Sequence, residues 1–224
     1  MNLLKFDNSS KIVTMVLIFI LSLSQKKINM KKVFLFLAGA ALFTACGNKT
    51  EETASEAVVA NYTLDVAASS LAWTGEKTGP NAHSQSGTLS FTDGSVETTN
   101  DVITSGTFTI DMNSLKATSV EGEQAGKLEA HLKSADFFDV ANNPSIKVKV
   151  GELKDGKIAT TITVLGADFT QDVPVTTSVE GDVMHVHGDF KFNVDGINSP
   201  AFDPADEERV LSDLTFKLHL ELKK

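Results

Sequence analysis

The stretch KLEAHLKSADFFDVANNPSIKVKV, residues 127–150, changes its period midway. Leu128 and Leu132 stand four apart and share one face of a short helix. Phe137 and Phe138 follow as a double aromatic plug, and Asn142-Asn143-Pro144 turns the chain. Beyond the turn, Ile146, Val148 and Val150 alternate with Lys147 and Lys149, which describes a strand with one dry face. A helix that hands over to a strand through two phenylalanines is a landmark in a chain whose remaining pattern is β.

That remaining pattern is clean alternation. Phe108, Ile110 and Met112 oppose Thr109 and Asp111, and Ile158, Ile162 and Val164 oppose Thr161 and Thr163. Further on, Met184, Val186, Phe190, Phe192 and Val194 oppose His185, His187, Asp189, Lys191 and Asn193. In the last run Phe216, Leu218, Leu220 and Leu222 oppose Lys217, His219 and Glu221. Leu71 with Trp73, and Leu89 with Phe91, are shorter versions. Period-2 patterning over many short runs means half-buried antiparallel sheet. Asp93-Gly94, Asp155-Gly156, Gly181-Asp182 and Asp195-Gly196 read as the turns between runs, and residues 198–208 as a longer loop before the final strand. The residues thus predict an all-β domain of about eight strands, either a closed barrel or a sandwich.

The opening stretch resembles a segment of the YceI-like family, roughly L-x-x-H-L-x-S-x-D-F-F-D-V-x-x-x-P. Leu128, His131, Leu132, Ser134, Asp136, Phe137, Phe138, Asp139, Val140 and Pro144 stand in register with it. Tyr62-Thr63-Leu64-Asp65, Trp73-Thr74-Gly75, His83, Gly87, Thr109-Ile110-Asp111-Met112 and Ser114-Leu115 extend the resemblance over residues 61–224. It implies an eight-stranded, antiparallel, lipocalin-like barrel with a short helical insert, about residues 123–134, near one mouth. It also implies a binder of polyisoprenoid and related lipid chains, with no enzymatic activity. One departure stands out: Phe190-Lys191-Phe192-Asn193-Val194-Asp195-Gly196 lacks the arginine that the family usually carries near this strand, so no head-group contact is expected from that mouth.

From the residues alone the dry face has two readings, a core filled by its own side chains or an apolar tunnel for a long hydrocarbon. The resemblance favours the tunnel. Parity and size select Trp73, Phe91, Phe108, Ile110, Met112, Phe138, Val164, Phe190 and Phe192 as its wall, with Phe137 or Phe138 closing a mouth and His131 beside the entrance. A surface lipoprotein with a filled barrel that docks a protein partner is the alternative.

Residues 1–60 read as targeting sequence. Met30-Lys31-Lys32 precedes the apolar run VFLFLAGAALFTAC, residues 33–46, as in a secretory signal. Thr44-Ala45-Cys46-Gly47 resembles a lipobox, so Cys46 is expected to carry lipid and to anchor the chain to the outer membrane of a cell envelope, on its periplasmic or surface side. Residues 1–29 read as an upstream extension of a reading frame that starts at Met30, 30–45 as the signal peptide and 46–60 as a flexible acidic tether. Cys46 is the only cysteine, so no disulfide forms within the chain.

The chain carries a net charge of −9. Six lysines against one aspartate in residues 1–45 leave 14 basic and 28 acidic residues in the remainder. Nucleic-acid binding needs clustered Lys and Arg, and Arg209 is the single arginine. The expected partners are a long-chain lipid and, through Cys46, a membrane; a homodimer is compatible with the pattern. No nucleophile elbow, H-E-x-x-H, dinucleotide fingerprint or P-loop occurs, and no cofactor is expected. His185 and His187 form an H-x-H pair, but on the wet face, where they are expected to be solvated rather than metal-bound.

Overall fold

The computed structural model describes residues 56–224. The expected positions of the extension, the signal peptide, most of the tether and Cys46 lie outside the described residues. Ten strands form one antiparallel sheet: β1 (Val59–Leu64), β2 (Ser70–Lys77), β3 (His83–Thr99), β4 (Val102–Ala117), β5 (Ser145–Lys154), β6 (Lys157–Val164), β7 (Ala167–Pro174), β8 (Thr176–Glu180), β9 (Val183–Asn193) and β10 (Asp213–Lys223). One helix, α1 (Gly122–Lys133), joins β4 to β5. Strand β1 begins at Val59, inside the stretch expected as tether.

The count differs from the expected eight because two wall positions are each occupied by two strands. Both β1 and β2 lie between β3 and β10, separated by a bend in which the Asp65 carboxylate accepts the N–H groups of Ala67 and Ala68. Strands β7 and β8 are separated only by Val175; β7 pairs with β6 and β8 with β9. The wall therefore has eight positions and closes on itself, which removes the open edges of a sheet. One stretch of the closing seam is stitched by a side chain. The Gln171 amide donates from Nε2 to the Lys191 carbonyl at 2.6 Å and accepts the Asn193 N–H at 3.0 Å, as a strand peptide would.

The turns follow the chemistry of short hairpins. Asp155 and Gly156 both adopt positive φ, as do Asn100-Asp101 and Leu165-Gly166, which match the twist of the flanking strands. Asp93-Gly94 is not a turn. Strand β3 runs straight through it, with a bulge that shifts register between Phe91↔Ile110 and Asp93↔Thr109. Glycine is required there because the Phe108 ring lies 2.3 Å from where a Cβ would stand. Gly87 has the same role for Trp73, whose ring occupies that space at 2.6 Å.

The inward residues of the alternating runs form the core. One end of the barrel is plugged by Tyr62, Val96, Ile103, Met184 and Leu222, all at most 2% exposed. The Tyr62 hydroxyl reaches the Asp101 carboxylate at 3.2 Å, and the Lys224 ammonium lies 5.2 Å from the ring centroid. The other end is capped by α1 and the loops.

Candidate functional site

Between plug and cap lies an apolar cavity of about 520 Å3. Its lumen is hollow for a reason visible in the burial pattern. Ile146, Val148, Val150 and Ile162 point inward, as do Phe190, Phe216 and Leu218, yet all are only half-buried. A core filled by its own side chains would bury them fully. All eleven residues expected from the sequence around a tunnel stand on the lining: Phe91 and Phe108 meet edge to face at 6.2 Å, and Phe190 lies 5.9 Å from Phe216 across the β9–β10 pair. Val148, Ile162, Leu214 and Phe216 also line it, and parity marks all of them as inward. The Trp73 indole N–H is buried in the wall and has no hydrogen-bond partner.

The mouth is built by three segments. Helix α1 lies over β4: Glu129 accepts the Ala117 N–H at 3.1 Å and pairs with Lys116 at 3.3 Å, while Lys133 donates to the Asn113 carbonyl at 2.8 Å. These contacts hold the Glu129 carboxyl below its usual range, chiefly through the Ala117 N–H. At the helix end Ser134 turns its hydroxyl back onto the His131 carbonyl. The chain then coils tightly, with Phe137 N–H on Ser134 and Phe138 N–H on Leu132, which drops the double aromatic onto the lumen. Phe137 is buried, 4.9 Å from Phe138, and the exposed His131 ring meets it edge-on at 5.8 Å. Both rings close the mouth, and His131 stands at its rim.

The loop before β10 supplies the second segment, and neither of its key residues is among those expected from the sequence. Phe202, in a single 3-10 turn (Pro200–Phe202), packs at 5.5 Å on Phe137 and 6.3 Å on Phe138. Buried Ser199 donates from Oγ to the Phe137 carbonyl at 2.7 Å, locking loop to lid. A lone Phe between two prolines in an otherwise polar loop was the available signal. Asp203 and Asp206, the carboxylate pair of this loop, accept the N–H groups of Ala205 and Glu208 and so shape the loop.

The third segment is the β2–β3 hairpin. Lys77 pairs with Glu208 at 2.9 Å, Asn81 donates to the same carboxylate, and Thr78 donates to the Glu207 carbonyl at 2.7 Å. The Lys77 contact first, then Asn81, holds the Glu208 carboxyl below its usual range. Glu76, Lys77, His83, Gln85, Asp136 and Glu208 line the same cavity as the apolar wall, so polar groups gather at this end and hydrocarbon at the other.

The chain matches the YceI-like domain over residues 62–221. It belongs to the YceI-like family. The solved structures that share its fold include these two. One is a polyisoprenoid binding domain from Saccharophagus degradans implicated in plant cell wall breakdown, 14% identical, with a TM-score of 0.50, covering 72% of this chain and 97% of that one. The other is BcnA from Burkholderia cenocepacia, 19% identical, with a TM-score of 0.52, covering 70% and 98%. A search of curated proteins returns no match. In this YceI-like chain the segment that carries the family landmark is the lid and the strand after it.

Proposed function

We propose that this YceI-like chain binds one long apolar lipid, of the polyisoprenoid or isoprenoid-quinone type, in the barrel lumen, and sequesters or carries it without turnover. The observation that carries the reading is the hollow, largely hydrocarbon-lined cavity of about 520 Å3, whose charged lining groups gather at its lidded end. That volume lies within the roughly 300–1,000 Å3 of ligand pockets. Each ~100 Å2 of hydrocarbon withdrawn from water contributes about 2.5 kcal/mol, so a long chain binds without catalytic groups and with few polar anchors. The solved relative described as a polyisoprenoid binding domain supports the same ligand class. We place the protein in the cell envelope, anchored to the outer membrane by lipid on Cys46, on the strength of the signal-like run before it.

Native mass spectrometry of protein purified from its own membrane fraction tests the reading. One co-purifying lipid per chain is expected, displaced by added isoprenoid. A barrel that emerges empty and takes up no isoprenoid refutes it in favour of a protein-docking lipoprotein. Metabolic labelling with palmitate, expected to disappear in Cys46→Ser, tests the anchor separately.

A further inference from the structure

On the outer surface of the barrel, far from the chemistry of the lumen, β9 and β10 bring together side chains that the sequence holds more than thirty positions apart. His219 pairs across the ladder with His187, and Glu221 with His185. His185, His219 and Glu221 each offer a ligand atom within 4.8 Å of the others, and all three are half-buried. The His219 Nε2 already stands 3.7 Å from Glu221 Oε1. Its other nitrogen, Nδ1, lies 3.3 Å from Nδ1 of His187.

We propose that His185, His219 and Glu221 bind a divalent transition-metal ion of the zinc class, with His187 as the group that positions His219. Three lines converge. First, tetrahedral bonds of about 2.0–2.1 Å put neighbouring ligand atoms about 3.3–3.4 Å apart. The His219–Glu221 edge is within a few tenths of an ångström of that. The His185 ring, stacked on His219 at a centroid distance of 6.1 Å, offers a nitrogen within 4.8 Å of the other two ligand atoms, and χ2 of an imidazole is a soft torsion. Second, two imidazoles and a carboxylate form a three-ligand set that suits zinc and leaves a fourth position for water or an incoming donor. Third, a ligating imidazole needs its remaining N–H held by an acceptor, which fixes the tautomer. With Nε2 of His219 on the metal, its Nδ1–H donates to His187 Nδ1. The flanking cations are already matched elsewhere: Lys217 pairs with Asp189 at 3.8 Å, and Lys223 with Asp65. Glu221 forms an ion pair with neither lysine, although its charge also acts on Lys223.

The test is calorimetric titration of the full chain with Zn2+, without a histidine tag and with Cys46 alkylated so that no thiol competes. One equivalent is expected, and His219→Ala abolishes it. His185→Ala and Glu221→Gln each weaken binding at least tenfold, and His187→Ala weakens it about 10- to 100-fold, as loss of an outer-shell partner does. His83→Ala, at the mouth, leaves it unchanged. In the unmutated protein, imidazole nitrogen resonances of His185, His187 and His219 shift on zinc addition and those of His83 and His131 do not. That readout stands even if a variant misfolds. Absence of stoichiometric binding, affinity indifferent to His219→Ala, or shifts spread over all five histidines overturns the proposal.

Discussion

Filling the lumen from its wall distinguishes a hollow barrel from a packed one by the sign of a stability change. Val148 points inward between Phe108 on β4 and Ile162 on β6, lines the cavity and is half-buried. In Val148→Trp an indole enters space that holds no other side chain. An aromatic side chain buries about 150–250 Å2. Allowing for the valine already there, roughly 100 Å2 of extra hydrocarbon is covered, worth at most about 2.5 kcal/mol. A gain of about 1–2 kcal/mol is the expected net result, a rise of about 2–8 °C in Tm for a domain of this size. Tryptophan is also well suited to a strand. The same residue forced into a filled core overpacks it and costs about 1–3 kcal/mol. The measurement is thermal unfolding of delipidated wild type and variant, paired with isoprenoid uptake followed by native mass spectrometry. A hollow barrel gives a higher Tm together with lost uptake. A lower Tm with uptake intact refutes it.

Three other expectations concern the frame and the lid. Gly94→Val places a side chain into the Phe108 ring and is expected to destabilise the fold by several kcal/mol, read as a fall in the denaturation midpoint; an unchanged midpoint would show that the bulge re-forms elsewhere. Ser199→Ala leaves the buried Phe137 carbonyl without its donor and should cost about 1–3 kcal/mol while speeding lipid release from preloaded protein. Glu208 is held below the usual carboxylate range by Lys77, so its contribution to the mouth is complete above the unfolded pKa of about 4.3 and lost as pH falls through the lowered folded value. Proteolysis within residues 198–210 should therefore accelerate only under strongly acidic conditions. In Glu208→Gln it should already be faster at pH 7, and equal rates at pH 7 would remove Glu208 from the latch.

Parity along a strand is local, and that is why so much of the barrel was legible. Each residue of a run such as 183–194 declares its face through its immediate neighbours, so the inward set, including Phe108 and Phe190, could be read without knowing what lay opposite. The helix was legible for the same reason, found at Gly122–Lys133 within a residue of its expected position. What escaped depended on partners distant in sequence. Asp93-Gly94 carries turn chemistry, and only the Phe108 ring across the ladder makes it a bulge. Ser199 and Phe202 belong to a polar loop until Phe137 is placed beneath them. His219 stands on the wet face by parity, and only strand pairing brings His187 to it.

The Gln171 stitch has a consequence for how the girth of the barrel is encoded. Elsewhere around the circumference, neighbouring wall positions are joined by main-chain ladders, whose bonds persist whatever side chain a substitution installs. Beside β9 the hold of β7 passes through one amide side chain, so a single codon can loosen or retie it. Along this stretch closure of the wall rests on the identity of one residue, while the β8–β9 ladder beside it holds by main chain alone.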